Sequence, residues 1–256
     1  MSLFAKKSYG QHFLNNDSIL QKIADRVAQQ DINSILEIGP GRGALTNFLL
    51  RLNKKFLAVE ADRDMQNHLL HNRILTEDQL ICEDVLKTDF TALFDGNEFL
   101  LCGNFPYNIS SQILIKTLLN SERIPVMIGM FQKEVVMRII SGPSTKEYGK
   151  LSVMTQLMYE GKRCFDINPS AFTPAPKVMS SVLELRRKSD ALSKEKFLQI
   201  QKLVRTSFQF RRKTLRNNLK SYVQDPTILA DSYFDQRPEE LSPSEFLNLL
   251  SKLHTT

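Results

Sequence analysis

Apolar and polar positions follow two regimes along the chain. Up to about residue 185, short apolar runs alternate with longer amphipathic stretches. The runs fall at 34–38, 56–60, 80–82, 99–102 and 126–131, and helical periodicity separates them at 44–52, 65–73 and 109–119. Near-continuous apolar strands are covered on both faces, so strands alternating with helices predict a parallel, doubly wound α/β sheet of the Rossmann kind. Two further strands are expected at 152–159 and 181–185. Between them, Phe172-Thr173-Pro174-Ala175-Pro176-Lys177 reads as a loop, because its prolines cannot donate to a ladder. Beyond a linker at 188–191 the pattern becomes helical, at 196–210, 213–222 and 242–253. The last of these opens Ser242-Pro243-Ser244-Glu245, a helix-start signature. The expected organisation is an α/β domain over 1–188 and a small all-helical domain over 189–256.

Charge sharpens that division. From Arg186 to Lys220 there are twelve Lys or Arg against two acids, a local net charge of +10, so the rest of the chain carries −4. Such asymmetry is the electrostatic footprint of a polyanion partner, the alternative being a solvated helix face. No apolar run approaches the ~18 residues that span a bilayer. The first residues lack the apolar stretch and small-residue cleavage site of a signal peptide. Cys82, Cys102 and Cys164 have no metal-ligand spacing and read as reduced, mostly buried thiols of a cytoplasmic protein. His68 and His71 lack an accompanying thiolate or carboxylate motif, and no metal site is expected there.

The chemistry lies at strand ends. Glu37-Ile38-Gly39-Pro40-Gly41-Arg42-Gly43 closes the first strand with G-x-G-x-G spacing. That spacing is neither the G-x-G-x-x-G of dinucleotide binders nor a phosphate-gripping P-loop. Glycines let the backbone turn sharply beside a ligand. A carboxylate at Glu37 would repel a pyrophosphate and suits a cofactor bearing an ammonium group. Glu60, at the end of the second strand, can accept from two ribose hydroxyls. Asp84, after the third, can accept from an adenine amino group. A single acid at a strand end can be a helix cap instead, but three in register fit a site at the carboxyl edge of a sheet.

Asn104-Phe105-Pro106-Tyr107 follows the fourth strand. An amino group on a base ring is a poor nucleophile, because its lone pair is delocalised. The Asn104 side-chain oxygen and the Phe105 carbonyl can stabilise the charge that develops as it attacks. Tyr107 can stack on a base taken out of its helix. The alternative is a proline turn with a packed tyrosine.

Asn-Phe-Pro-Tyr beside Glu-Ile-Gly-Pro-Gly-Arg-Gly resembles the ribosomal RNA adenine dimethyltransferases of the KsgA (RsmA) type, over nearly the whole chain. Gly10-Gln11-His12-Phe13-Leu14 resembles that family's Gly-Gln-Asn-Phe-Leu motif over the cofactor. Phe172 to Val178 resembles its loop near the target base, and Phe210 to Leu219 its basic C-terminal motif. The resemblance implies a Rossmann-like methyltransferase fold and S-adenosylmethionine as cofactor, contacted by His12, Leu14, Gly39, Glu60, Asp84 and Asn104. It implies a catalytic group of Asn104, Tyr107 and Phe172, with RNA held by Arg211, Arg212, Lys213 and Arg216. The implied reaction dimethylates two adjacent adenosines in a 3′-terminal hairpin loop of small-subunit ribosomal RNA, on pre-ribosomal small subunits, by a monomer. His12 departs from the family's Asn, and Phe105 from its commoner Leu or Ile. The alternatives are a large-subunit methyltransferase of the antibiotic-resistance type and a non-enzymatic assembly or transcription factor on the same fold.

Overall fold

A computed structural model describes Lys6, residues 9–210 and residues 212–254. The chain forms two compact units: Met1–Val136 with Lys162–Arg187, and Met137–Gly161 with Lys188–Thr256. The expected boundary at 188 is the place where the chain passes into the second unit for good. Residues 137–161, expected in the first domain, belong to the second unit instead.

The first unit opens with β1 (Phe13–Leu14) and α1 (Asp17–Ala28). Asn16 caps α1 by accepting from the Ile19 amide, and Leu20, Ile23, Ala24 and Val27 form its buried face. The strands β2 (Ser34–Ile38), β3 (Lys55–Val59), β4 (Leu80–Ile81), β5 (Leu100–Asn104) and β6 (Val126–Gln132) alternate with α2 (Thr46–Leu49), α3 (Arg63–His71) and α4 (Ser110–Leu119). After α5 (Lys133–Ile140) and α6 (Lys150–Gln156) come β7 (Tyr159–Ile167), β8 (Phe172–Thr173) and β9 (Ser180–Arg187). The large sheet runs β4-β3-β2-β5-β6-β9-β7. Its first five strands are parallel, and β9 is antiparallel to β6. The order reverses between β2 and β5, which opens a crevice beyond their carboxyl ends. β1 and β8 form a separate antiparallel pair, with Leu14 opposite Phe172. The doubly wound α/β expectation thus holds, down to the register of the glycine turn after β2.

Two differences have physical causes. Residues 152–159 are expected as a strand, yet 150–156 is the helix α6. Ser152 and Thr155 are buried. The Ser152 hydroxyl donates to the Arg138 carbonyl, and Gln156 Nε2 donates to the carbonyls of Ile139 and Ser141 at 3.0 and 2.8 Å. They satisfy the orphan carbonyls at the end of α5. The strand β7, absent from the sequence reading, carries the exposed run Glu160-Gly161-Lys162-Arg163, and an edge strand of that composition has no apolar signature.

In the second unit, α7 (Lys194–Ser207), α8 (Leu215–Asn218) and α9 (Pro243–His254) bury Phe197, Ile200, Leu203, Val204, Leu215, Phe246 and Leu249. The expected start of α9 is present: Glu245 accepts from the Ser242 amide at 2.7 Å, and Ser242 Oγ from the Glu245 amide at 3.3 Å. Residues 137–161 join this unit through side chains. The Tyr148 hydroxyl donates to the Leu241 carbonyl at 2.8 Å, and the Tyr148 ring meets Phe208 edge-on.

Candidate active site

A cavity of about 540 Å³ lies at the crevice beyond β2 and β5, a volume ordinary for a small-molecule site. Its wall includes His12, Leu14, Glu37, Gly39, Glu60, Asp84, Asn104 and Tyr107. The six expected cofactor residues are therefore brought to one place. Phe172 is not on this wall. It is 4% exposed and packs in the core beneath the β1–β8 pair.

The floor is the turn after β2. Gly39 and Gly41 have φ of 67° and 56°, a left-handed conformation that side chains disfavour. A Cβ at Gly39 would meet nothing nearer than Pro106 at 3.8 Å, so this stretch of backbone is bare toward the cavity. A Cβ at Gly41 would press on the Phe13 ring at 3.0 Å. The Gly39 amide donates to the Val59 carbonyl at 2.9 Å, joining the turn to the end of β3.

Glu60 is buried and accepts from the amides of Gly41 at 3.0 Å and Asp62 at 2.9 Å. Burial raises its pKa, and these amides oppose the rise. Asp62, unremarked in the sequence, ties the N-terminal segment to this wall. It accepts from Lys6 Nζ at 2.6 Å and Gln11 Nε2 at 3.0 Å. Burial works against its charge, but these partners hold its carboxyl below the usual range. Only its position two residues past Glu60 pointed to it. Glu37 is fully buried against the Thr46 hydroxyl at 2.8 Å. Burial pushes its pKa up to about 8, against the opposing Thr46 bond, with nearby Glu60 adding to the rise. One Asp84 oxygen accepts from the Leu86 amide at 2.9 Å. Cys82, expected to be buried, is exposed beside the cavity, and Cys102 is the fully buried thiol.

The rim is built on the turn after β5. Asn104 Nδ2 donates to the His12 carbonyl at 2.7 Å. A carbonyl can only accept, so this bond fixes which end of the amide is nitrogen and leaves Oδ1 as the free acceptor on the wall. The Phe105 ring is fully buried edge-on against Phe131, in space that a Cβ at Gly129 would occupy at 1.9 Å. Gly129 thus accounts for an aromatic at this position. The His12 ring stacks on Tyr107 with centroids 5.3 Å apart, and its Nδ1 lies 2.7 Å from the Pro174 carbonyl. The Tyr107 hydroxyl is bonded to Ser180 Oγ.

The basic motif of the second unit departs from the expected helices. Residues 213–222 are not one helix, because α8 begins only at Leu215 after the extended Thr214. Arg212 and Arg216 therefore do not share a helix face. Phe210, at the end of the helix expected over 196–210, is 58% exposed. Phe208 alone turns in, stacked on Phe246. The buried Asn218 side chain holds this turn, accepting from the Phe210 amide and donating to the carbonyls of Phe210 and Lys213. Arg216 is paired with Asp235 at 3.0 Å within the same unit. Arg212 and Lys213 are exposed, and Arg211 lies outside the described residues.

A family model described as ribosomal RNA adenine dimethylase matches residues 3–240. The chain belongs to this family. It is 41% identical over 252 residues to the ribosomal RNA small subunit methyltransferase A of Flavobacterium johnsoniae, covering 97% of this chain and 95% of that one. It is 42% identical over 250 residues to the protein of the same name from Bacteroides fragilis, covering 97% and 92%. A dimethyladenosine transferase from Plasmodium falciparum superposes with a TM-score of 0.77 at 26% identity, covering 95% of this chain and 98% of that chain. The 23S rRNA methyltransferase ErmE superposes with a TM-score of 0.64 at 21% identity, a likeness of fold. This member of the adenine dimethylase family is an S-adenosylmethionine-dependent methyltransferase, with a Rossmann-like fold and a C-terminal helical region. Its substrate is ribosomal RNA. Among the described residues no helix is long and apolar enough to cross a membrane.

The cavity suits that cofactor. A bare glycine turn, a buried carboxylate held by backbone amides and a second buried acid, Glu37, are all on its wall.

Proposed function

We propose that the protein dimethylates two adjacent adenosines in a 3′-terminal hairpin loop of small-subunit ribosomal RNA, acting as a cytoplasmic monomer on pre-ribosomal small subunits. The observation that carries the reading is the oriented Asn104 amide, whose Oδ1 is the acceptor on the cavity wall. S-adenosylmethionine supplies an electrophilic methyl group on a sulfonium. Glu60 and Asp84 would hold its ribose and adenine ends, with His12, Leu14 and Gly39 closing around it. Glu37 would face its charged end.

The residues then act on the base. Asn104 Oδ1 and the Phe105 carbonyl accept from the exocyclic amine and stabilise the positive charge it acquires on attack. A base that has lost its neighbours gains a stacking surface on Tyr107. Phe172 would join it only with its ring uncovered, since it is 4% exposed. Arg211, Arg212 and Lys213 would contact phosphates, and the exposed Phe210 beside them offers a ring for a base. Arg216 would steady the turn through Asp235.

The test is to incubate the protein with small-subunit particles and labelled cofactor and map the modified nucleotides. Two neighbouring dimethyladenosines are expected. The same incubation with large-subunit particles is the control: label confined to large-subunit RNA would reassign the substrate, and no transfer to either would favour a binding factor.

A further inference from the structure

Tyr107 is held at three points that no role in chemistry explains. Its main-chain carbonyl accepts from the Ser110 hydroxyl at 3.2 Å. One face of its ring is covered by His12, whose Nδ1 must carry its proton to donate to the Pro174 carbonyl at 2.7 Å. Its hydroxyl meets Ser180 Oγ. Ser180 is fully buried, the first residue of β9, and sits in register with Gln132 of β6. It touches neither the cavity nor any residue assigned to the cofactor. The chain brings it to Tyr107 across 73 residues, at the point where the proline loop re-enters the sheet.

We propose that Ser180 is a positioning residue, which fixes the Tyr107 ring so that its face opposite His12 is set to receive the target base before RNA binds. The proposal rests on the RNA adenine reading above. A phenol ring on two torsions can sweep a wide arc. With one face on His12 and the hydroxyl bonded, both torsions are set by groups of the protein itself. A base leaving its helix then meets a platform already in place, so less ordering falls on the binding step. The same set accounts for His12 in place of the family's Asn: its ring backs the tyrosine, while its carbonyl orients Asn104.

The experiment is a mutant cycle of Ser180→Ala, Tyr107→Phe and the double variant, with Ser180→Thr as the conservative control. Both single variants should slow RNA methylation by about fivefold, the equivalent of one ordinary hydrogen bond. The double variant should be no slower than Tyr107→Phe, and Ser180→Thr should restore most of the rate. Cofactor affinity, read by calorimetry, should not change in Ser180→Ala. Additive losses, or a wild-type rate in a folded Ser180→Ala, would overturn the proposal. If Ser180→Ala does not fold, Tyr107→Phe removes the same bond from the other partner, and a wild-type rate there overturns it equally. A second measurement needs no RNA. Carbon-13-labelled tyrosine spectra, with Tyr107 assigned by its absence in Tyr107→Phe, should show that signal shifted in Ser180→Ala and retained in Ser180→Thr. An unmoved signal sinks the positioning role. Absence of RNA methylation by the unaltered protein strikes the substrate reading, and the spectra still judge Ser180.

Discussion

In the cavity of the first unit Glu37 and Glu60 are buried, Asp84 is half-buried, and all three are already engaged. Glu60 takes two backbone amides, Glu37 a threonine hydroxyl and Asp84 the amide of Leu86. In the turn of the second unit the cations Arg212 and Lys213 stand exposed beside an exposed Phe210, while Arg216 is paired with Asp235. The first region fixes dipoles before a ligand arrives, which is what recognition of one small molecule and stabilisation of one transition state require. The second offers charge on a clamped but solvated loop, which suits phosphates whose contacts are summed and not individually shaped. Substitutions in the two regions should fail in different ways.

The largest expected effect is at the rim. Asn104→Ala should lower single-turnover methylation by ~10²–10³, the usual loss of one preorganised group that acts in the transition state. RNA affinity and its salt dependence should stay as they are. A wild-type rate would take Asn104 out of the chemistry and erase the contrast with the turn. Next comes the turn itself. Neutralising Arg212 and Lys213 together should weaken RNA binding and lower the slope of log affinity against log salt by roughly 1–2 units. Arg216→Gln should leave that slope alone and lower the melting temperature, since it breaks the pair with Asp235. Equal slopes for the two variants would mean that Arg216 also reaches phosphate.

The smallest effect is a proton. Glu37 rises from its ordinary 4.5 to about 8, chiefly through burial. The folded chain therefore keeps a proton that the unfolded chain gives up above pH 4.5. That contribution to stability is whole below pH 4.5 and is lost as pH climbs through about 8. Glu37→Gln is neutral throughout, so its stability should vary less between those limits. Denaturant titrations from pH 5 to 9 on both proteins read the difference, and parallel curves would show Glu37 already ionised at neutrality.

Much of the cavity was legible because its parts are local in sequence. The glycine turn and the acids Glu60 and Asp84 each follow a strand, and strand ends of one parallel sheet converge. The contacts that finish the site are long-range pairs with no period to reveal them: Gln11 to Asp62, Asn104 to the His12 carbonyl, Tyr107 to Ser180. The basic turn was legible only as charge. Nothing local says that Asn218 would fold back on Phe210 and Lys213, so the pattern carries helices up to 210 and on from 213 where the structure has the turn. The strand expected at 152–159 failed for a related reason, since Ser152 and Gln156 serve the end of another helix.

The second unit is assembled from two stretches of chain, and this governs the order in which it can be finished. Tyr148 and Leu241 are hydrogen-bonded across 93 residues. As synthesis proceeds from the N-terminus, residues 137–161 emerge long before α9 exists to receive them. Their buried side chains must wait, while the sheet strands made in the interval, β7 and β9, already have partners. For the same reason a cut at residue 188 does not separate two folding units. It would strand Tyr148 and α6 on one fragment and their core on the other, so that neither piece would hold a complete second unit.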